Sequence, residues 1–204
     1  MKRFLFVADS EVKAALDPVA ETVSGGGIVL LPTESFYGLG ADPSSHEAAD
    51  RICSLKGRPT EMGLPVLAAD WQQVDRLARV PGRFRAKLAR LWPAPVTVVV
   101  ETAVDLPAAR MGTLAIRIPN HAPLRALLYR TGPLTGTSAN CHGDPPCVTV
   151  GAALASLAAE PDVVLDGGTT AGGEPSTLVD LTGPDALILR AGAGRWEDAE
   201  SIFE

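Results

Sequence analysis

Apolar positions along the chain fall in short clusters separated by glycine and proline, a rhythm that suits many brief strands and helices in alternation. Asp17-Pro18 reads as a helix cap followed by proline in the first turn, opening a helix that the Gly25-Gly26-Gly27 run stops. Residues 28–31 form a buried strand. Pro32 ends it and begins PTESFYGLGADP, whose hydroxyls, glycines and aromatics suit a loop and mark a candidate site. Ser44-Ser45-His46-Glu47 has the form of a capping box, and Ala48, Ile52 and Leu55 then recur at helical spacing up to Lys56. Further on, the pattern predicts a strand over 64–68, a helix capped by Asp70, a helix over 81–91, and strands over 96–100 and 114–118. A helix from Pro123 to about Tyr129 follows, then a strand over 134–137 ending in SAN, a helix over 149–159, and strands over 163–165, 177–181 and 186–189. Helices interleaved with roughly seven short strands predict an α/β domain, a twisted mixed sheet with flanking helices.

The 204 residues are expected to form one domain, and a composition of 46% hydrophobic and 21% charged residues is ordinary for a globular chain. No apolar run approaches a bilayer span, and the opening MKRFLFVADSEVK lacks the long apolar stretch and cleavage site of a signal peptide, so a cytoplasmic protein with no membrane partner is expected. Cys53, Cys141 and Cys147 lack metal-ligand spacing and read as reduced structural thiols. A net charge of −6 argues against a broad basic face for nucleic acid but allows a small cationic pocket.

The familiar nucleotide signatures are absent: there is no Walker A sequence, and neither GLGADP nor GAGRWE completes the dinucleotide glycine pattern. GTSAN resembles a nucleophile elbow, but Asn140 stands where that turn needs glycine, which argues against Ser138 as a nucleophile. More informative is a scatter of polar residues at the ends of apolar runs: Thr33, Ser35, Lys56, Arg58, Thr113, Arg117, Ser138, Asn140, Ser176 and Arg190. Ligands of open α/β sheets bind outside strand ends, so these side chains can converge on one concavity. Pro59 pushes Arg58 toward an extended conformation, and Lys56 and Arg58 together offer two cations to a polyphosphate. Alternation in LAIRIP sets Arg117 on the face of Ala115, away from Leu114, Ile116 and Ile118. Taken singly, each has a plainer reading: a solvated helix end for Lys56 and Arg58, surface arginines at 117 and 190, and turn-satisfying hydroxyls at Thr33, Ser35, Ser138 and Ser176.

In combination these residues resemble a known family. PTESFYGLGADP is similar to the PTET-x-YGLG segment of YrdC-like proteins, KGRP to their K-x-R-P, WPAPVT to their WPGP-[LV]-T, LAIRIPNH to their AVR-x-P-x-H, and TSAN to their SAN, with continuing likeness through PPCVTV, DGGTTAGGEPSTLVD and ILRAG. The resemblance spans nearly the whole chain in order and is closest to the short bacterial form. It implies an α/β sheet around a concave, positive pocket, and an activity that joins L-threonine, bicarbonate and ATP into threonylcarbamoyl-AMP and pyrophosphate, with Mg²⁺ arriving with ATP. A separate transferase then uses the product to modify tRNA, and direct tRNA binding by this chain is the weaker expectation. By motif position, Lys56, Arg58, Thr113, Ser138, Asn140 and Arg190 fall on the ATP side, with Lys56 and Arg58 assigned to catalysis. Thr33, Ser35, Arg117 and Ser176 fall on the threonine side, with Arg117 suited to its carboxylate. Ser35, Ala94 and Gly63 depart from the family's commoner residues and bear on substrate fit. Two rivals within the resemblance are a carbamoyl-adenylate-forming enzyme and an RNA-binding relative.

Overall fold

The computed structural model describes residues 1–59 and 62–196. In chain order its elements are β1 (Lys2–Leu5), α1 (Asp9–Ser24), β2 (Val29–Pro32), β3 (Tyr37–Gly40), α2 (His46–Lys56), β4 (Val66–Leu67), α3 (Trp71–Leu77), β5 (Ala78–Arg79) and α4 (Gly82–Leu91). They continue with β6 (Val96–Thr102), β7 (Thr113–Arg117), α5 (Ala122–Thr131), β8 (Leu134–Thr135), β9 (Thr137–Ser138), α6 (Val150–Ser156), β10 (Val163–Asp166), β11 (Thr177–Asp180) and β12 (Leu187–Arg190). The α/β class is as expected, with the strands divided between two mixed sheets. A five-stranded sheet has the order β1-β10-β2-β3-β9, and a seven-stranded sheet has the order β12-β11-β6-β7-β4-β8 with β5 also on β6.

The two sheets differ in how their faces are used. In the smaller sheet Val29, Leu31, Val163 and Leu165 pack against α1 and α5, while Leu30, Leu39 and Val164 enter the second core on the other face. Burial on both faces explains the unbroken apolar run of β2. The larger sheet packs one face of its central strands into the main core. Val66 on β4 pairs with Ile116 on β7, Ile116 with Val98 on β6, and Val98 with Val179 on β11. All four are fully buried. Directly opposed residues share a face, so these four form one row of the core, and the neighbouring row must face the other way.

Four expectations change in detail. The first helix begins at Asp9, and Pro18 lies inside it. Buried Val12, Ala15, Val19 and Val23 make one stripe that runs through the proline onto Leu124, Leu127 and Leu128 of α5, and this burial outweighs the backbone bond that Pro18 cannot donate. Its start is marked by Glu11, whose carboxylate accepts from the amide of Ala8 at 2.9 Å. Second, residues 37–40, assigned to a loop, form β3 antiparallel to β2. Gly38 and Gly40 serve close packing there: a Cβ on Gly40 would lie 2.7 Å from the Leu31 side chain. Third, the strand over 134–137 is broken at Gly136, so that β8 pairs with β4 in one sheet and β9 with β3 in the other. Fourth, β1 and β5 add strands that the pattern did not show. No described helix is long and apolar enough to cross a membrane.

The core row makes a direct prediction. Ile116→Ala should destabilise the protein by about 2–5 kcal/mol, as expected for removing a large side chain from a packed core. Urea unfolding monitored by circular dichroism measures it, and a loss below about 1 kcal/mol would show that the row is not tightly packed.

Candidate active site

The outward face of the larger sheet is the floor of an open cleft of about 450 Å³ whose far wall comes from β3, β9 and the segment after α2. The floor follows from the register. Arg190 on β12 pairs with Leu178 on β11, Leu178 with Thr97 on β6, and Leu67 on β4 with Arg117 on β7. Continuing the β6–β7 register by one residue past Val98 and Ile116 sets Thr97 opposite Arg117. All five residues line the cleft, giving a row that reads cation, apolar, hydroxyl, cation, apolar.

Seven of the ten residues singled out in the sequence line this cleft: Thr33, Ser35, Arg58, Arg117, Ser138, Ser176 and Arg190. Thr33 also supports its own loop, its hydroxyl donating to the Phe36 carbonyl at 2.7 Å. Arg58 follows Gly57, which takes the left-handed conformation with φ of 58° and turns the chain out of α2. Its Nη2 donates to the Gly63 carbonyl at 2.8 Å, while its Nε is buried without a hydrogen-bond partner among the described residues. A guanidinium held in this way at a cleft wall suits an anionic ligand. Arg190 donates to the Ser176 carbonyl at 2.8 Å, which fixes both residues on the floor.

Lys56, Asn140 and Thr113 do not line the cleft. Lys56 is buried behind the turn that follows β9, and its ammonium donates to the carbonyls of Ser138 and Asn140. Its own carbonyl accepts from His142 N at 2.7 Å, so α2 and that turn are clamped together from both ends of one residue. Burial, with a smaller contribution from neighbouring Arg58, pulls the Lys56 pKa down to about 8. Asn140 donates its amide to the carbonyls of Cys141 and Asp144, holding the turn in shape. Thr113 is at the far end of β7, where its hydroxyl donates to the Arg110 carbonyl at 2.8 Å.

Two further residues belong to the site and were not singled out. Glu34 Oε1 is 3.0 Å from Arg117 Nη1, with both side chains largely buried. The alignment is Coulombic only, since neither Glu34 oxygen has a hydrogen-bond donor among the described residues. Burial pulls the Arg117 guanidinium below its ordinary pKa, Glu34 opposes that, and Arg190 adds to it. The signal for Glu34 was its place between two site hydroxyls in PTES. The second is Thr97, whose Oγ1 is 2.9 Å from Ser176 Oγ. Its signal was the polar position between Val96 and Val98 in an otherwise apolar strand.

Three guanidiniums around one cleft in a chain of net charge −6, with no carboxylate on its lining among the described residues, define an α/β protein built to hold an anionic ligand between two sheets. The chain belongs to the Sua5/YciO/YrdC family, whose model, described as telomere recombination, matches residues 21–192. It is similar to a threonylcarbamoyl-AMP synthase of Nitrosococcus oceani, 38% identical over 167 residues covering 79% of this chain and 90% of the relative. A threonylcarbamoyl-AMP synthase of Photobacterium profundum is 32% identical over 184 residues, covering 87% and 98%. Among solved structures, P. abyssi Sua5 complexed with L-threonine superposes with a TM-score of 0.81 at 28% identity, covering 94% of this chain and 57% of that one.

The depressed pKa of Lys56 predicts a pH dependence. An anion in the cleft favours the charged ammonium and so raises its pKa above about 8, which means binding takes up protons near and above that pH. Affinity for inorganic triphosphate should therefore fall as pH rises past about 8. Calorimetry at pH 8.5 in buffers of differing ionisation enthalpy should show net proton uptake in the native protein and none in Lys56→Met. Equal heats in all buffers for the native protein would contradict it.

Proposed function

We propose that this chain is an L-threonylcarbamoyladenylate synthase, forming threonylcarbamoyl-AMP and pyrophosphate from L-threonine, bicarbonate and ATP. The observation that carries the reading is the strand row itself, which sets Arg117 on the same floor as Thr97, Ser176 and Arg190, facing Arg58 across the cleft. Family membership and the relatives' names support it. A carboxylate and a polyphosphate need separate cations in one cleft, and this cleft supplies them.

The reaction asks little covalent chemistry of the protein. The threonine amine captures bicarbonate as a carbamate with loss of water, and a carbamate oxygen attacks the α-phosphorus while pyrophosphate leaves. Both steps bring anions together, so positioning and charge neutralisation are the protein's contribution. Arg117 holds the threonine carboxylate, and Ser35 and Ser176 offer hydroxyls beside it. Arg58 on the cleft wall faces the phosphates, and Ser138 offers a hydroxyl next to them. Lys56 and Asn140 act through the turn, whose backbone they fix from behind, and Lys56 adds charge at short range. Arg190 borders the nucleotide side. Thr113 has no part in this arrangement. Mg²⁺ enters as part of the nucleotide substrate, since the described lining residues offer guanidiniums and hydroxyls to the phosphates that carry it. Transfer of the product to tRNA falls to a separate transferase.

Pyrophosphate release from ATP should require both threonine and bicarbonate, read by mass spectrometry of the nucleotide product with each substrate omitted in turn. Release indifferent to threonine would overturn the reading. Arg58→Ala should weaken ATP binding about ten- to a hundredfold with threonine binding nearly intact, and Arg117→Ala should do the reverse, as expected for one charge-assisted contact of roughly 1.5–3 kcal/mol. Calorimetric titration of each variant with each substrate, beside a melting curve, separates the two roles. Loss of ATP alone by both variants would remove Arg117 from the threonine site.

A further inference from the structure

We infer that Thr97 determines specificity for the amino acid, by holding the side-chain hydroxyl of a β-hydroxy α-amino acid whose carboxylate is on Arg117. The inference rests on the proposed reading of the cleft and goes beyond it in assigning a role to a residue outside that set.

Thr97 is 5% exposed, and that remaining surface is on the cleft. Its neighbours on β6, Val96 and Val98, are fully buried in the core on the opposite face, so strand alternation forces Thr97 outward. On one side it faces Arg117 by continuation of the β6–β7 register, and on the other it pairs with Leu178, with Ser176 at the diagonal position. Neighbouring strands are about 4.8 Å apart. A carboxylate gripped by Arg117 therefore places the β-carbon of the same amino acid over β6, within reach of Thr97 and Ser176.

The hydroxyl pair fits a third hydroxyl. Thr97 Oγ1 and Ser176 Oγ are 2.9 Å apart, and this one bond uses one of their two protons. The other proton and the free lone pairs remain for a ligand that can both donate and accept, which a hydroxyl does and a methyl does not. Leu178 borders Thr97 within the row and offers apolar contact to the substrate's methyl group. A site that hydrogen-bonds a substrate hydroxyl strongly disfavours the isostere without it, because its own polar groups are then left unpaired. The isostere here is valine. A purely structural Thr97, present to satisfy Ser176, would affect stability without affecting that choice.

Calorimetric titration of the native protein, Thr97→Val and Thr97→Ser with L-threonine and with L-valine tests this, each variant being checked by its melting curve. Thr97→Val should lose about tenfold or more in threonine affinity with little change for valine, collapsing the ratio between them. Thr97→Ser, which keeps the hydroxyl, should retain most of the native ratio. A native ratio in Thr97→Val, or an equal loss for both amino acids, would overturn the role of Thr97 while leaving the functional reading intact. Native protein that binds neither amino acid would overturn both.

Discussion

The structure depends on the register of the seven-stranded sheet. Side chains alternate with period two, so the pairing that places Val66, Ile116, Val98 and Val179 in the core also places Leu67, Arg117, Thr97 and Leu178 on the cleft floor. A slip of one residue on β7 would turn the Arg117 guanidinium into the aliphatic core and Ile116 onto the cleft floor, a costly exchange. Selection for a stable core and selection for a working floor therefore act on the same hydrogen bonds. Function is set on rigid strands, and the loops add the opposite wall.

Electrostatics follow from that placement. The protein is acidic overall, yet its cleft gathers Arg58, Arg117 and Arg190, with Lys56 just behind. Like charges at such density are tolerated because the protein ties each one down: Arg190 to the Ser176 carbonyl, Arg58 to that of Gly63, Lys56 to Ser138 and Asn140, and Arg117 to the buried Glu34 carboxylate. The contacts hold the cations in place before any ligand arrives, which is what a catalyst working through charge needs. They leave some valence unused in the Thr97–Ser176 hydroxyl pair, and both of its residues line the cleft.

Much of this was legible in the sequence, for identifiable reasons. The helix ending at Lys56 announced itself through Ser45, which caps it by accepting from Ala48 N at 3.2 Å, and the outward face of Arg117 followed from strict alternation in LAIRIP. Signals failed where tertiary packing overrode local preference. Pro18 looked like a helix start and is a helix interior, because the apolar stripe on either side of it is buried against α5. Gly38 and Gly40 looked like loop residues and are strand residues, because neighbouring chains approach too closely for a Cβ. Ligand-facing residues were found where they end a run, as at Arg190. They were missed where they lie inside one, as at Thr97. Lys56 was seen as a cation but not as a clamp, since the carbonyls it holds are more than eighty residues away in the chain.

The most direct measurement is a crystal structure with L-threonine and a non-hydrolysable ATP analogue bound together. The amino acid should lie along the strand row with its carboxylate about 3 Å from the Arg117 guanidinium, and the phosphates should face Arg58 and the turn after β9. An amino acid held by another cation, or a nucleotide bound outside the cleft, would contradict the claim that one sheet register builds both the core and the site.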